Sequence, residues 1–131
     1  MISTPSTIRV IGAEIYARHG VGEAERSIGG RYSFDLEMET DIAHAAESDH
    51  VEDTIDYHVA YNIARDILTR TNRRLLEALV VEISQALMNE FSRIAACTVR
   101  LRKLSVPIDG VIAAVEVEHR IERDGVGDNQ G

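Results

Sequence analysis

Four segments of the chain alternate apolar and polar side chains with the two-residue period of a half-buried β-strand. The alternation is clearest over residues 31–42, where Tyr32, Phe34 and Leu36 face one way and charged side chains face the other. The remaining strands are predicted at 7–18, 95–103 and 111–123, and amphipathic helices at 57–70 and 75–91. The order β-β-α-α-β-β predicts an α+β fold, a four-stranded antiparallel sheet with two antiparallel helices on one face.

The segments between these elements predict loops. Residues 19–30 contain four glycines, and residues 43–56 are acidic and irregular, with one short helical turn near 43–47. Asp56 and Asn72 are candidate N-caps of the two helices. We expect a single domain over 1–131, with an ordered core at about 7–123 and flexible ends at 1–6 and 124–131.

Charge and composition narrow the classes of partner and cofactor. The formal net charge of −8 argues against nucleic acid and anionic membranes, so a small-molecule substrate is favoured. The single cysteine, Cys97, cannot form an internal disulfide and is expected to be buried, which makes a cytoplasmic location the simplest. The five histidines lack metal-binding spacing, and no phosphate-binding glycine loop is present, so we predict neither a metal nor a cofactor.

The polar face of the predicted sheet carries charges of both signs. One interpretation is an ordinary solvated surface. The other is that sheets from several subunits close into a barrel with a wet lumen, which would also remove the two unpaired sheet edges. The charged side chains of this face include Asp35, Glu37, Arg100, Arg102 and Glu118.

Lys103 is the only lysine of the chain, beside thirteen arginines, and it is the first candidate for proton transfer. An arginine keeps its proton at any working pH, whereas a lysine amine can exchange protons. Lys103 also continues the apolar face of the third strand after Val99 and Leu101, just before Pro107. The alternative is that an arginine-rich composition has left one incidental lysine.

Three further side chains lie near the ends of predicted elements. Glu77 is in the first turn of the second helix, where a carboxylate either complements the helix dipole or accepts hydrogen bonds from a heterocycle with adjacent N–H groups. Tyr57 opens the first helix and is either a packed aromatic or a ligand contact. Glu25 lies in the glycine-rich loop, where a solvated charge is the alternative.

Taken in order, short motifs along the chain resemble the dihydroneopterin aldolase family over about residues 8–121. The resemblance implies the tunnelling fold, in which subunits build a β-barrel ring and two rings stack, often as an octamer of four-subunit rings. Active sites then lie between neighbouring subunits, and the charged sheet face lines the lumen. The matching motifs are HGVGEAER (19–26), IG (28–29), FDLE (34–37), SD (48–49), EDTIDY (52–57), LLE (75–77), VRLRK (99–103) and PIxG (107–110).

The resemblance also implies the reaction and the site residues. The family cleaves 7,8-dihydroneopterin by a retro-aldol reaction into 6-hydroxymethyl-7,8-dihydropterin and glycolaldehyde, in folate biosynthesis, without a metal or a Schiff base. It implies that Glu77 and the backbone of Leu76 hold the pterin ring and that Lys103 is the general acid/base. It further implies that Tyr57 of the adjacent subunit reprotonates the intermediate and that Glu25 contacts the ligand.

Other activities stay open at this point. Lys103 followed by Leu104 also resembles the related dihydroneopterin triphosphate epimerase, and C2′ epimerisation of the free substrate is a possible second activity. A non-catalytic pterin-binding assembly module and a zinc-dependent enzyme of the same superfamily are the remaining alternatives.

Overall fold

Four strands form one antiparallel sheet in the computed structural model, which describes residues 2–124. Each strand pairs with the next along the chain, in the order β1-β2-β3-β4. The predicted α+β architecture is confirmed, and the two long helices that follow the second strand pack on the same apolar sheet face. In chain order, the elements are β1 (Pro5–Ala17), α1 (Glu23–Ser27), β2 (Gly30–Asp41), α2 (Ala43–Ser48), a 3-10 turn (Val51–Asp53), α3 (Tyr57–Arg70), α4 (Leu76–Glu90), β3 (Ala96–Lys103) and β4 (Val115–Glu122).

The apolar sheet face supplies a large part of the core, as the alternation in β2 and β3 predicts. Phe34 and Leu36 of β2 are fully buried, and the Phe34 ring stacks on Tyr61 of α3 with ring centroids 5.8 Å apart. Cys97 is fully buried in β3, as predicted, and this burial raises the pKa of its thiol to about 12.

Three boundaries differ from the predictions. Residues 23–27 form α1 within the predicted loop, because a run of good helix formers there outweighs the flanking glycines. β4 begins at Val115, not at 111, because the register pairs Val115 with Lys103, the last residue of β3, and leaves 111–114 without a partner strand. β1 begins at Pro5, within the N-terminal segment 1–6 that was expected to be flexible. Most of the C-terminal segment expected to be flexible, residues 125–131, lies outside the described part of the chain.

The two predicted helix caps have different outcomes. Asp56 is the N-cap of α3, and its side chain accepts a hydrogen bond from the His58 N–H at 2.9 Å. Asn72 does not cap α4, whose N-cap is Leu75. The Asn72 side chain instead crosses to the segment that follows β1, because two backbone carbonyls there need donors.

The polar sheet face carries ion pairs that run across the strands. Arg100 of β3 lies between Glu37 of β2 and Glu118 of β4, with 2.6 Å between the Arg100 Nε and Glu118 Oε1. Arg102 lies in the same way between Asp35 and a glutamate of β4. This arrangement makes the face charged and largely self-paired, whereas its closure into a ring stays a prediction.

Candidate active site

Lys103 ends β3 with its ammonium group against a carboxylate. The Nζ atom lies 2.8 Å from Oε2 of Glu25, and the two side chains are only 14% and 19% exposed. Strand register places Lys103 beside Tyr32 of β2, on the apolar face, as the sequence predicts. The single lysine therefore occupies a half-buried position and does not extend into open solvent.

The Glu25 carboxylate is held in place by the backbone around it. Its Oε1 accepts a hydrogen bond from the Gly22 N–H at 3.1 Å, at the start of α1. Gly20 has a φ of +144°, and a Cβ added there would lie 2.5 Å from the Glu25 carboxyl carbon. Gly20 thus provides both an unusual backbone conformation and the space that the carboxylate fills.

Electrostatics favour the ionised form of Glu25. The hydrogen bond from the Lys103 ammonium lowers the pKa of the Glu25 carboxyl below its ordinary value, against the opposing effect of burial. The pair therefore places the chain's only lysine amine directly against a carboxylate acceptor.

His19 lies fully buried next to this pair. Its Nε2 donates to the Leu68 carbonyl of α3 at 2.7 Å, while its Nδ1 accepts from the Arg73 N–H at 2.9 Å. Burial lowers the pKa of His19, which matches a neutral ring with its proton on Nε2. The Tyr32 hydroxyl donates to the His19 carbonyl at 2.7 Å.

The linker 71–75 between α3 and α4 is fixed to the same loop. The Gly20 N–H donates to the Arg73 carbonyl at 2.9 Å, and Arg73 lies only four residues before Glu77. Leu76 and Glu77 open α4, the first buried and the second exposed. The loop contacts therefore place the start of α4 at the same end of the sheet as Lys103 and Glu25.

Tyr57 lies at the other end of the molecule. It begins α3, and 67% of its surface is exposed. The helix extends by about 20 Å from Tyr57 to Arg70 at 1.5 Å per residue, and its last turn is the part that contacts His19. Within one chain, the structure does not bring Tyr57 together with the other predicted site residues.

A shallow cavity of about 320 Å³ opens beside Glu25, between α1 and the connection from β3 to β4. This connection is held to β2, because the Leu104 N–H donates to the Arg31 carbonyl at 2.9 Å. The wall of the cavity is mostly apolar, which suits the flat face of a ring. The lining residues are Ala24, Glu25, Ile28, Gly29, Ser105, Val106 and Pro107.

Sequence reasoning missed His19 and Asn72 as parts of this region. His19 opens the motif 19–26 and lacks metal-binding spacing, but its actual partners are backbone groups that no side-chain spacing reveals. Within residues 2–124, no group of three or more His, Cys, Asp or Glu side chains is arranged to hold a metal ion. In the same part of the chain, no helix combines the length and apolarity that a membrane crossing requires.

Comparison with known proteins identifies the family. A family model described as "FolB: Dihydroneopterin aldolase" matches residues 8–120. The dihydroneopterin aldolase of Bacillus subtilis is 33% identical over 111 residues, covering 85% of this chain and 92% of the relative. That of Methylorubrum extorquens is 39% identical over 105 residues, covering 79% and 81%. The fold is similar to that of Escherichia coli dihydroneopterin aldolase in complex with neopterin, with a TM-score of 0.81 and 22% identity over 88% of this chain and 98% of that one. The chain belongs to the dihydroneopterin aldolase family.

Proposed function

We propose that the chain cleaves 7,8-dihydroneopterin into 6-hydroxymethyl-7,8-dihydropterin and glycolaldehyde, with Lys103 as the proton carrier. The observation that carries this proposal is the Lys103–Glu25 pair, with 2.8 Å between Nζ and Oε2 in a half-buried position. Both relatives described above are named as aldolases, and so the epimerase alternative is second.

The ligands of two proteins with this fold suggest how the ring is held. One was crystallised with neopterin and another, from Burkholderia, with guanine. Both molecules present an N–H group beside an NH₂ group, a pair of parallel donors that a carboxylate accepts well. We assign this contact to Glu77, at the exposed start of α4, with the backbone of Leu76 beside it.

Bond cleavage needs a base and a place for the bonding electrons. Removal of the 2′-hydroxyl proton allows the C1′–C2′ bond to break, so that C2′ and C3′ leave as glycolaldehyde. The electrons of that bond move into the N5=C6 imine of the dihydropterin ring and form an enol-like intermediate. Because the substrate carries its own imine, the proposed mechanism needs neither a metal nor a covalent imine on Lys103.

Proton movements are assigned to Lys103 and Tyr57, and Glu25 assists Lys103. The neutral amine form of Lys103 takes the hydroxyl proton, directly or through water, and becomes the ammonium that pairs with Glu25, which orients it and contacts the ligand. Tyr57 then protonates C1′, which completes the hydroxymethyl product, and the proton held by Lys103 returns to Tyr57 through water. General acid/base help of this kind contributes roughly 10²–10⁴-fold to the rate.

The position of Tyr57 supports a site shared between subunits. In one chain, Tyr57 is separated from the Lys103 end of the molecule by the length of α3, about 20 Å. We propose that a neighbouring copy supplies Tyr57, in a homo-oligomeric ring of four subunits that stacks as an octamer. We also propose that the protein acts in the cytoplasm. The self-paired charged face of the sheet is compatible with a wet lumen.

The decisive experiment is an assay of the purified chain with 7,8-dihydroneopterin, in which both glycolaldehyde and the pterin product are measured. We expect equal amounts of the two products, undiminished after treatment with a chelator, and no reduced adduct on Lys103 when borohydride is added during turnover. Folded, assembled protein that releases no glycolaldehyde would contradict the proposal. Faster isomerisation of the triphosphate than cleavage of the free substrate would favour the epimerase.

A further inference from the structure

The loop after β1 and the linker before α4 are joined by a compact set of hydrogen bonds, here called the clasp and made by His19, Gly20, Asn72 and Arg73. The Arg73 N–H donates to His19 Nδ1 at 2.9 Å, and the Gly20 N–H donates to the Arg73 carbonyl at 2.9 Å. Asn72 Nδ2 donates to the carbonyls of Arg18 and Arg26 at 3.0 and 3.1 Å. Four hydrogen bonds thus connect two segments that are about 50 residues apart.

Each side of the clasp leads directly to a proposed site residue. On the loop side, Gly20 leaves the space that the Glu25 carboxyl occupies, and Glu25 in turn contacts Lys103. On the linker side, Arg73 is followed within four residues by Glu77. The clasp therefore joins the segment that seats the proton-moving part of the site to the segment that leads to the part assigned to the ring.

We propose that His19 and Asn72 are positioning residues of the reaction, which fix the distance between the Lys103–Glu25 pair and Glu77; this inference rests on the proposed function. Neither side chain performs chemistry itself. The His19 ring is fully buried with both nitrogens bonded to backbone groups, and Asn72 Nδ2 donates to two backbone carbonyls.

The proposal makes a specific kinetic claim. The two ends of the site contact different parts of one substrate, so loosening the clasp leaves each contact chemically intact but misaligns the reacting bond. Misplacement by about 1 Å can cost roughly 10²-fold in rate, whereas binding of the ring alone is less sensitive. In a clasp variant, the fold-decrease in kcat should therefore be larger than the fold-increase in KM.

Asn72→Ala is the first test, because Asn72 is exposed and its loss leaves no cavity in the core. We expect kcat to fall about tenfold and KM to rise less than about threefold, at a temperature well below the melting transition. Asn89→Ala, at an exposed position near the far end of α4, is the matched control and should retain the parental kcat. A kcat for Asn72→Ala within twofold of the parent would overturn the proposal.

Two substitutions of His19 separate its two hydrogen bonds. The Oδ1 of His19→Asn lies near the position of Nδ1 and can still accept from Arg73, whereas His19→Gln reaches only toward the Leu68 carbonyl. Both lose ring packing, but the asparagine variant should keep several-fold more kcat than the glutamine variant. Equal kcat values would remove His19 from the clasp, and if neither variant folds, Asn72 alone carries the test.

Failure of this inference is distinguishable from failure of the proposed function. If the parent chain shows no cleavage of 7,8-dihydroneopterin, the proposed function is wrong and the clasp has nothing to position. If the parent is active and binds neopterin, but the Asn72 and His19 variants keep its kcat, the function stands and the positioning role is wrong.

Discussion

Lys103 and Glu25 form an ion pair although they lie 78 residues apart in the sequence. The pair joins the end of β3 to α1, and it brings the only lysine of the chain next to a carboxylate that is held by a backbone N–H. The contact therefore pairs an amine that can exchange its proton with a carboxylate acceptor that orients the amine.

The first prediction concerns the identity of the cation. Lys103→Arg preserves the positive charge and the partner at Glu25, but a guanidinium keeps its proton at any working pH. We expect its kcat to fall by roughly 10²–10⁴-fold, nearly as far as that of Lys103→Met, while neopterin binding stays within a few-fold. Steady-state cleavage rates and fluorescence titration measure the two effects. An arginine variant that keeps most of the parental rate would exclude Lys103 as the proton carrier.

The second prediction tests the space beside the Glu25 carboxylate. Gly20→Ala places a methyl group 2.5 Å from the Glu25 carboxyl carbon, at a φ that L-residues rarely adopt. We expect the carboxylate to move and the cleavage rate to fall at least about tenfold. Gly110→Ala is the control, because a Cβ there meets nothing within 4 Å. Equal activity of the two variants would show that Gly20 is not needed to seat Glu25.

The third prediction addresses the grip on the pterin ring. Glu77→Ala removes a carboxylate at the start of α4 that we assign to two charge-assisted hydrogen bonds, and it should weaken neopterin binding by roughly ten- to hundredfold. Glu90→Ala, an exposed change at the last residue of the same helix, should leave affinity unchanged. The dissociation constants come from fluorescence or calorimetric titration. Parental affinity in Glu77→Ala would place the ring elsewhere.

The fourth prediction tests whether two subunits share the site. Tyr57→Phe and Lys103→Met subunits should each be nearly inactive alone. After the two are unfolded together and reassembled in equal amounts, about one quarter of the sites should contain both native side chains, because each site draws one residue from each of two neighbours. Recovery of roughly a quarter of the parental activity supports sharing. No recovery in a mixed assembly of normal size would place both residues in one chain's site.

The fifth prediction concerns acid stability and the charged sheet face. Arg102 donates to Asp35, and the Gly12 N–H donates to Asp35 Oδ1 at 2.8 Å; these hydrogen bonds lower the pKa of the Asp35 carboxyl. The unfolded chain therefore takes up a proton at a higher pH than the folded chain does. The stabilisation by ionised Asp35 is present above about pH 4 and is lost as pH falls through the folded-state pKa.

Asp35→Asn should remove part of that acid-sensitive stability. We expect a loss of about 1.5–3 kcal/mol in the free energy of unfolding at neutral pH, and a smaller loss as the pH is lowered toward 3. Urea unfolding at several pH values measures both, and Asp109→Asn in the exposed connection is the control. A difference between parent and Asp35→Asn that does not change with pH would contradict this assignment.

Local patterns predicted the sheet well because alternation translates directly into two faces. Phe34 and Leu36 are buried as expected, and Asp56 caps α3. The start of β4 was predicted wrongly because it depends on a distant partner: β4 starts at Val115, which pairs with Lys103 at the end of β3. The alternation within residues 111–123 does not specify the register in which β4 pairs with β3.

In the candidate site, too, some features could be predicted from the sequence and others could not. The unusual position of Lys103 is visible in the sequence, because it is a single lysine on an apolar strand face. Its pairing with Glu25 depends on how α1 packs, and the role of His19 depends on two backbone groups from α3 and the linker. Contacts to backbone leave no residue pattern, and so physical reasoning from the sequence could not find them.

The fully buried Cys97 has a practical consequence. Electrophiles and oxidants react with thiolates, and burial raises the pKa of this thiol to about 12 and removes it from solvent. Alkylation of the chain's only sulfhydryl consequently requires the sheet and helices to separate, so the rate of modification reports how often the native core opens. The molecule thus carries a built-in chemical probe of its own unfolding, independent of the proposed catalytic groups.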